Sequence, residues 1–529
     1  MSASAGARAS VAAEPRPAPG HLSRMAPWWP LAALTLLGAV LRLSTLGLQS
    51  FWFDEAFTPV HVLHASLFST LRSVLHTENS PPLWYVVEWI DWRVLGRGEV
   101  ALRLPSALAG IATVPVAWAI GRELAGRRAA ILCAALLAVN PLFVWYSQEA
   151  RAYGLFVLMS ALAMLCFLRA ERDPTPARMA AFALAGSAAL LSHYFAVFLL
   201  VPMILWLLRE PRLRRAAVPA TAALVLVGLA LLPLVVGQGG HGTQWIGRWP
   251  ISERLQAIPQ YYLTGTSGAP LGHGVELLIA LPILAGVCLA LLRLLDGRAS
   301  GGDRRDSARA TGGDAEAGDE RRRERHGALL AALVSCGAIL IPVVLAIFGA
   351  DYLAPRNLVG AMVPLTALVA VLLVLGSNGV AGIALAVTVA VAFLAISVDV
   401  DLSPRLQRGN WRGLARALRV GADRRAITTV ELGAAPLEYY LSGLHNLRSG
   451  GSVAVTEIDE TGYAPLRVSA GDAPAPGFRL YSRLDVDGLI ALRFRSATPR
   501  TVSQAVLRRH VITLAHPEVL IPRPSRSSP

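Results

Sequence analysis

Charge is what this 529-residue chain has least of: 16% of its residues are Asp, Glu, Lys or Arg, against 54% hydrophobic. A soluble globular protein carries about 25% charged residues. A deficit of this kind, spread over several long apolar runs, excludes an ordinary soluble domain and points to an integral membrane protein. Cysteine is as scarce. Cys133, Cys166, Cys288 and Cys336 all fall inside apolar runs, and no CxxC or Cys/His ligand spacing occurs. That excludes a disulfide framework and a structural zinc, and leaves buried thiols acting as small hydrophobes. Also missing is any basic patch interleaved with aromatics on a soluble module, so the net charge of +14 does not announce a nucleic-acid partner.

The arginines instead cluster between apolar runs, as in "GRELAGRR", "REPRLRR" and "RRRERH". Cytoplasmic loops look this way under the positive-inside rule. Residues 1–25 read as a disordered cytoplasmic tail rich in Ala, Pro, Ser and Arg. The run 28–46 lacks a small-x-small cleavage site and reads as a retained first span. Further spans are expected over 101–121, 128–145, 153–169, 179–193, 195–208, 216–236, 274–295, 327–348, 358–376 and 379–398, with a tight turn or kink at "SHYF", 192–195. The expected fold is therefore mainly α, with about 11 transmembrane helices in a module over 26–400.

Arginine-rich loops near 122–128, 169–178, 209–215 and 293–326 each follow an even number of crossings and share the side of the N-terminal tail. Loops 50–100, 146–151, 237–273 and 351–357 then face outward, as does everything after about residue 399. Segment 297–326, mixed in charge and rich in Gly and Ala, is expected to be a disordered cytoplasmic linker. Beyond it, short β-prone runs ("AITTVEL", "GSVAVTEI", "FRLYSRLD", "LIALRFRS", "HVITLAH") mix with helical patterns ("NWRGLARAL", "APLEYYLSGL"). They predict an extracytoplasmic α/β domain over 401–520, followed by a tail at 521–529.

Ionisable residues are almost absent from mid-span positions, where an ion-coupled transporter carries them. They gather at outward helix ends, in four stretches. "FWFDEAF", 51–57, sets Asp54 and Glu55 among large aromatics, where charge is costly; a helix N-cap or solvated loop pair is the bland alternative. "HTENSPPLWYVVEWIDW", 76–92, brings His76, Glu78 and Asn79 before a Pro-Pro helix start, although the tryptophans alone would suit an interfacial belt. "WYSQEARAY", 145–153, crowds Tyr146, Glu149, Arg151 and Tyr153 into one turn, where a Glu149–Arg151 ion pair could simply fix the backbone. "DYLAPRNL", 351–358, leaves Arg356 just outside a span. Such an arginine either snorkels to headgroups or clamps a phosphate, for which the planar guanidinium is suited.

At these stretches the sequence resembles the GT-C membrane glycosyltransferases, in particular the dolichyl-phosphate-mannose-protein mannosyltransferase-like and RgtA/B/C/D-like group. The resemblance is carried by "WFDEA", "SPPLWY", "EVALRLPSALAG", "GRELAGRRAAILCAALLAVNPLFVWYSQEARAYGL", "APRNLVGAMVPL" and "NWRGLARAL", and spans about 30–420. It departs from the common pattern at Ser80, where many relatives have His before Pro-Pro, and at Asn357, where many have Tyr.

The resemblance implies a multi-pass cell-membrane enzyme that moves a sugar, a mannose-like hexose first, from a polyprenyl-phosphate donor to an extracytoplasmic lipid, glycan or protein acceptor. An outward site fits a lipid-carried donor, since nucleotide sugars stay in the cytoplasm. In direct displacement, one carboxylate takes the acceptor's proton while cations stabilise the departing phosphate, and the anomeric centre inverts. By the family pattern Asp54 is the base and Glu55 an orienter or hydroxyl ligand. Arg356 and Arg151 are the phosphate clamps. Glu149, Tyr146, Tyr153, His76, Glu78 and Asn79 are candidate substrate contacts. No residue is assigned to a metal, and a divalent cation near the two acids stays open. A lipid-linked glycan flippase or a non-catalytic scaffold are the alternatives. The first needs a polar route through the spans, and the second needs far fewer of them.

Overall fold

The computed structural model describes residues 28–266, 272–299, 312–375, 380–510, 512–513 and 517–523. The tail 1–25 and most of the tail 521–529 lie outside them. Among the described residues seven helices are long and apolar enough to cross a membrane, and the shorter apolar helices Trp29–Leu43, Pro176–Ser192 and Ala196–Arg209 pack with them. Leucine, alanine and valine run round most of these helices, which suits elements surrounded by other helices and by lipid.

The longest helix, Glu99–Val139, is broken at Ala125 (φ −148°, ψ 31°) and Gly126 (φ 76°, ψ −162°). The positive φ is open to glycine without a Cβ penalty. The chain doubles back there so closely that a Cβ on Gly121 would sit 2.5 Å from the Ala129 carbonyl oxygen. This reversal is the arginine-rich turn expected at 122–128. The returning arm ends at Asn140, whose side chain caps the next helix, Pro141–Ser147, by accepting from the Leu142 and Phe143 amides. Arg42, fully buried on Trp29–Leu43, donates to the Ala138 carbonyl at 2.8 Å and to the Leu137 carbonyl at 3.4 Å. A cation belongs there, at the negative end of a helix whose last carbonyls lack partners.

The stretch 179–208 is interrupted at 193–195, where "SHYF" was expected to turn. A difference from the sequence reading lies at 297–326. Residues 300–311 are outside the described set, but the helix Gly312–Ile347 begins within that segment. Its charges have partners: Arg323 donates to the Arg122 carbonyl at 2.8 Å, and His326 lies 3.2 Å from Glu171. Composition alone suggested disorder, whereas docking onto the 122–123 reversal supplies the contacts that order it.

Between the first two long elements, residues 44–98 form four short helical pieces: Phe53–Phe57, the π-turn Thr58–Val62, Leu67–Thr77 and Leu83–Leu95, the last starting after Pro82 as expected. At the other end of the chain lies a six-stranded mixed sheet: β1 Arg425–Val430, β2 Leu444–Asn446, β3 Ser452–Tyr463, β4 Arg479–Val486, β5 Leu489–Ser503 and β6 Pro517–Pro522. Its order is β2-β6-β1-β3-β5-β4, and β1 with β3 is the parallel pair. β4 and β5 turn on Asp487-Gly488, both at positive φ, as a two-residue Asp-Gly hairpin requires. Helices Trp411–Arg419 and Ala434–Tyr440 cover one face, seating Trp411, Leu414, Leu418 and Leu437 on Ile427, Leu489 and Leu520. The expected runs at 426–496 became β1, β3, β4 and β5. "HVITLAH" at 510–516 lies partly outside the described residues, and the last strand starts at Pro517.

Candidate active site

Successive side chains on a helix point about 100° apart, so the short helix Phe53–Phe57 sends its two acids different ways. Glu55 turns inward and is fully buried, held by Arg103 through Nε to Oε1 and Nη2 to Oε2, both 2.7 Å, and by the Ala150 amide at 2.9 Å. Burial works against its charge, but Arg103 and then Arg408 outweigh it and hold the carboxyl below the usual carboxylate range. Asp54 turns outward. Its side chain is 20% exposed and accepts from Arg356 Nη1 at 3.0 Å.

Arg356 sits on the 3-10 turn Pro355–Ala361, with its guanidinium 4.9 Å from the Trp245 ring centroid. The lead-in to that turn is anchored by Asp351, which takes both Arg254 nitrogens at 2.6 and 2.8 Å. Gly360 lies flat against Phe156, where a Cβ would come within 2.4 Å of the ring. Asn357 turns away and donates to the Tyr352 carbonyl at 3.0 Å. Arg151 approaches from the other side. It donates to the Asp54 backbone carbonyl at 3.4 Å and to Thr58 Oγ1 at 3.3 Å, and pairs with Glu78 at 3.0 Å. Its burial disfavours charge, but Glu78 more than compensates and raises the guanidinium above its ordinary range. Tyr85 donates to the same Glu78 carboxylate at 2.6 Å.

The Glu149–Arg151 pair, the alternative for this turn, does not form. Arg151 goes to Glu78, while Glu149, 1% exposed, accepts from Arg408 Nη2 at 2.9 Å. Two residues apart on a tight turn, the side chains leave on opposite sides. Burial pushes the Glu149 carboxyl up to about 7, with Arg408 the largest opposing influence. Tyr146 and Tyr153 are buried next to each other, ring centroids 4.7 Å apart. Asn79 donates to the His241 carbonyl at 3.2 Å. His76 is exposed, and among the described residues its side chain makes no hydrogen bond or ion pair. Structure thus gathers Asp54, Arg356, Arg151 and Glu78 into one connected group, leaves His76 out of it, and turns Glu55 into a buried support.

Arg103 and Arg408 were not singled out from sequence. The signal for Arg103 was an arginine inside an apolar helix, which needs a buried partner. For Arg408 there was no local signal, since its partners lie about 260 residues earlier. The sheet domain also reaches this group. Tyr440 accepts from the Phe51 amide at 2.7 Å and hydrogen-bonds Glu99. Arg412 pairs with Glu99 at 2.9 Å, Ser50 donates to the Gly409 carbonyl at 2.8 Å, and His61 meets Glu438 at 2.9 Å. Among the described residues no group of three or more His, Cys, Asp or Glu side chains is placed to share an ion. The chain contains no lysine, so its long-side-chain cations are all guanidinium groups, which stay charged when buried.

Comparison with solved structures shows the fold. The chain is similar to ArnT from Cupriavidus metallidurans in the apo state, with a TM-score of 0.54 and 12% identity over 88% of this chain and 97% of that one. The same protein bound to undecaprenyl phosphate gives 0.52 and 12%, covering 88% and 98%. The Archaeoglobus fulgidus oligosaccharyltransferase in the apo form scores 0.45 at 14% identity over 79% and 60%, too low to support an argument. The fold is that of the GT-C membrane glycosyltransferases. Within it, residues 79–236 match the model of the dolichyl-phosphate-mannose-protein mannosyltransferase family. No curated protein matches the chain in sequence.

Proposed function

We propose that the protein transfers a sugar, a mannose-like hexose in the first instance, from a polyprenyl-phosphate donor to an acceptor on the extracytoplasmic face. The observation that carries this reading is the Asp54–Arg356 pair. A carboxylate and a guanidinium 3.0 Å apart, each only partly exposed, meet where the ends of apolar helices converge, with a second guanidinium on the same helix backbone. The arginine bias of the opposite loops favours an outward site.

In this mechanism Arg356 and Arg151 receive the donor phosphate. Anionic phosphate oxygens compete with Asp54 for Arg356, and the carboxylate is released as they take its partner. Asp54 then accepts the acceptor hydroxyl's proton while the new C–O bond forms at the anomeric carbon. The bond to phosphate breaks on the far side, and the leaving group's negative charge falls on the two guanidinium groups. A single displacement inverts the anomeric centre. Glu55, its oxygens turned inward to Arg103, serves as the support that fixes the short helix and so aims Asp54.

Purified protein in lipid, supplied separately with polyprenyl-phosphate-mannose and other lipid-linked sugars, tests donor and class together. Asp54→Asn should remain folded and bind donor yet lose turnover by about 100-fold or more. A variant that still transfers sugar at the wild-type rate removes Asp54 as the base.

A further inference from the structure

Two carboxylates lie buried within reach of Asp54, and they are served unequally. Glu55 has Arg103 in a two-pronged pair. Glu149 has only Arg408 at hydrogen-bond distance, and its other oxygen, Oε1, is buried without a hydrogen-bond partner among the described residues. A buried carboxylate without an answering cation is strongly disfavoured, and in practice takes up a proton instead.

We propose that Arg408, carried in by the stretch leading to the sheet domain, is a positioning residue of the site: it fixes the Glu149 carboxylate and favours its ionised form, and so sets the charge of the acidic wall. The guanidinium is built in from every side. Its side chain is 5% exposed and lies 4.1 Å from the Trp145 ring centroid. Nη2 donates to Glu149 at 2.9 Å, and Nη1 donates to the Gln148 carbonyl at 3.4 Å and lies 4.0 Å from Glu55. The Arg408 amide is fixed by Gln49 Oε1 at 3.0 Å. The charged and titratable groups facing Glu149 are Arg408, Glu55 and Asp54 from the first outer segment, and Arg356 from the Pro355–Ala361 turn. Tyr146 and Tyr153 flank it from the helices on either side of its own turn. Burial and the two acids raise the Glu149 carboxyl, and Arg408 is the largest influence opposing them.

This deepens the transferase reading and rests on it for one arm of the test. The other arm is independent of activity. A lipophilic carbodiimide reacts with protonated carboxyls, and mass spectrometry of the Glu149 peptide after labelling at graded pH gives its titration midpoint. In Arg408→Met that midpoint should rise by at least about one pH unit, with Arg408→Lys in between because it restores the charge without the fork. Turnover of Arg408→Met should fall about 10-fold or more, with its pH profile displaced in the same direction and donor KM little changed. The displacement should vanish in the Arg408→Met/Glu149→Gln double variant.

An unchanged Glu149 midpoint in folded Arg408→Met overturns the proposal, as does a pH displacement that persists without Glu149. If Arg408→Met fails to fold, an unchanged midpoint in Arg408→Lys overturns it equally. Should wild type make no product from any lipid-linked sugar while the labelling midpoint still moves, the transferase reading falls and Arg408's control of Glu149 stands.

Discussion

Replacing Arg103 by methionine removes the partner of a carboxylate that has no exposure to water. In wild type this guanidinium binds both Glu55 oxygens at 2.7 Å and donates to the carbonyls of Leu46, Gln49 and Ser50 at 3.0, 2.7 and 3.2 Å. Orphaning a buried member of an ion pair costs about 3–5 kcal/mol, and the three released carbonyls add to that. Removing the charge from the other side as well should return about 2 kcal/mol or more, since a neutral amide at position 55 has far less to lose from burial. Unfolding in detergent, followed through the fluorescence of the chain's 12 tryptophans, measures all three proteins. The ranking expected is wild type, then Glu55→Gln/Arg103→Met, then Arg103→Met. A cost under about 1 kcal/mol for Arg103→Met, the range of an exposed pair, refutes the reasoning. So does a double variant no more stable than the single. The sign with pH follows from Glu55, whose folded pKa is lowered. The advantage of wild type over Glu55→Gln is full above the unfolded carboxylate value of about 4.3 and is lost as pH falls through the lower folded value.

Two more outcomes test other parts of the structure. Gly121→Ala forces a methyl to 2.5 Å from the Ala129 carbonyl, a backbone atom that cannot step aside, so it should destabilise by about 1–3 kcal/mol and lower the yield of folded protein; a normal unfolding profile argues against the tight hairpin. Arg356→Lys keeps a positive charge but loses the planar fork and its face against Trp245, so donor KM should rise about 10-fold with a smaller change in kcat. Unchanged kinetics would remove Arg356 as a clamp on the donor phosphate.

The apolar helices were legible because apolar runs bounded by arginine, Gly and Pro carry their own punctuation, and the break at 193–195 was visible in "SHYF". Asp54 and Arg356 were legible as residue types at helix ends. Their partnership was not, since 302 residues separate them and only packing brings them together. The alternative of a Glu149–Arg151 pair is set aside for the complementary reason. Nearness in sequence is not nearness in space, and the buried partners, Glu78 and Arg408, lie 73 and 259 residues away. Residues 312–326 of the expected linker form a helix because they dock on a surface elsewhere in the chain, which composition does not show.

The separation of Asp54 from Arg356 also orders events during synthesis. A ribosome adds about 5–20 residues per second, so the 302 residues between them take about 15–60 s to make. Throughout that interval the acid has left the ribosome and its counter-ion has not yet been made. Until the late turn bearing Arg356 is threaded into place, the Asp54 carboxylate lacks the guanidinium that holds it in the folded chain, so the pair closes only after most of the helices have been made.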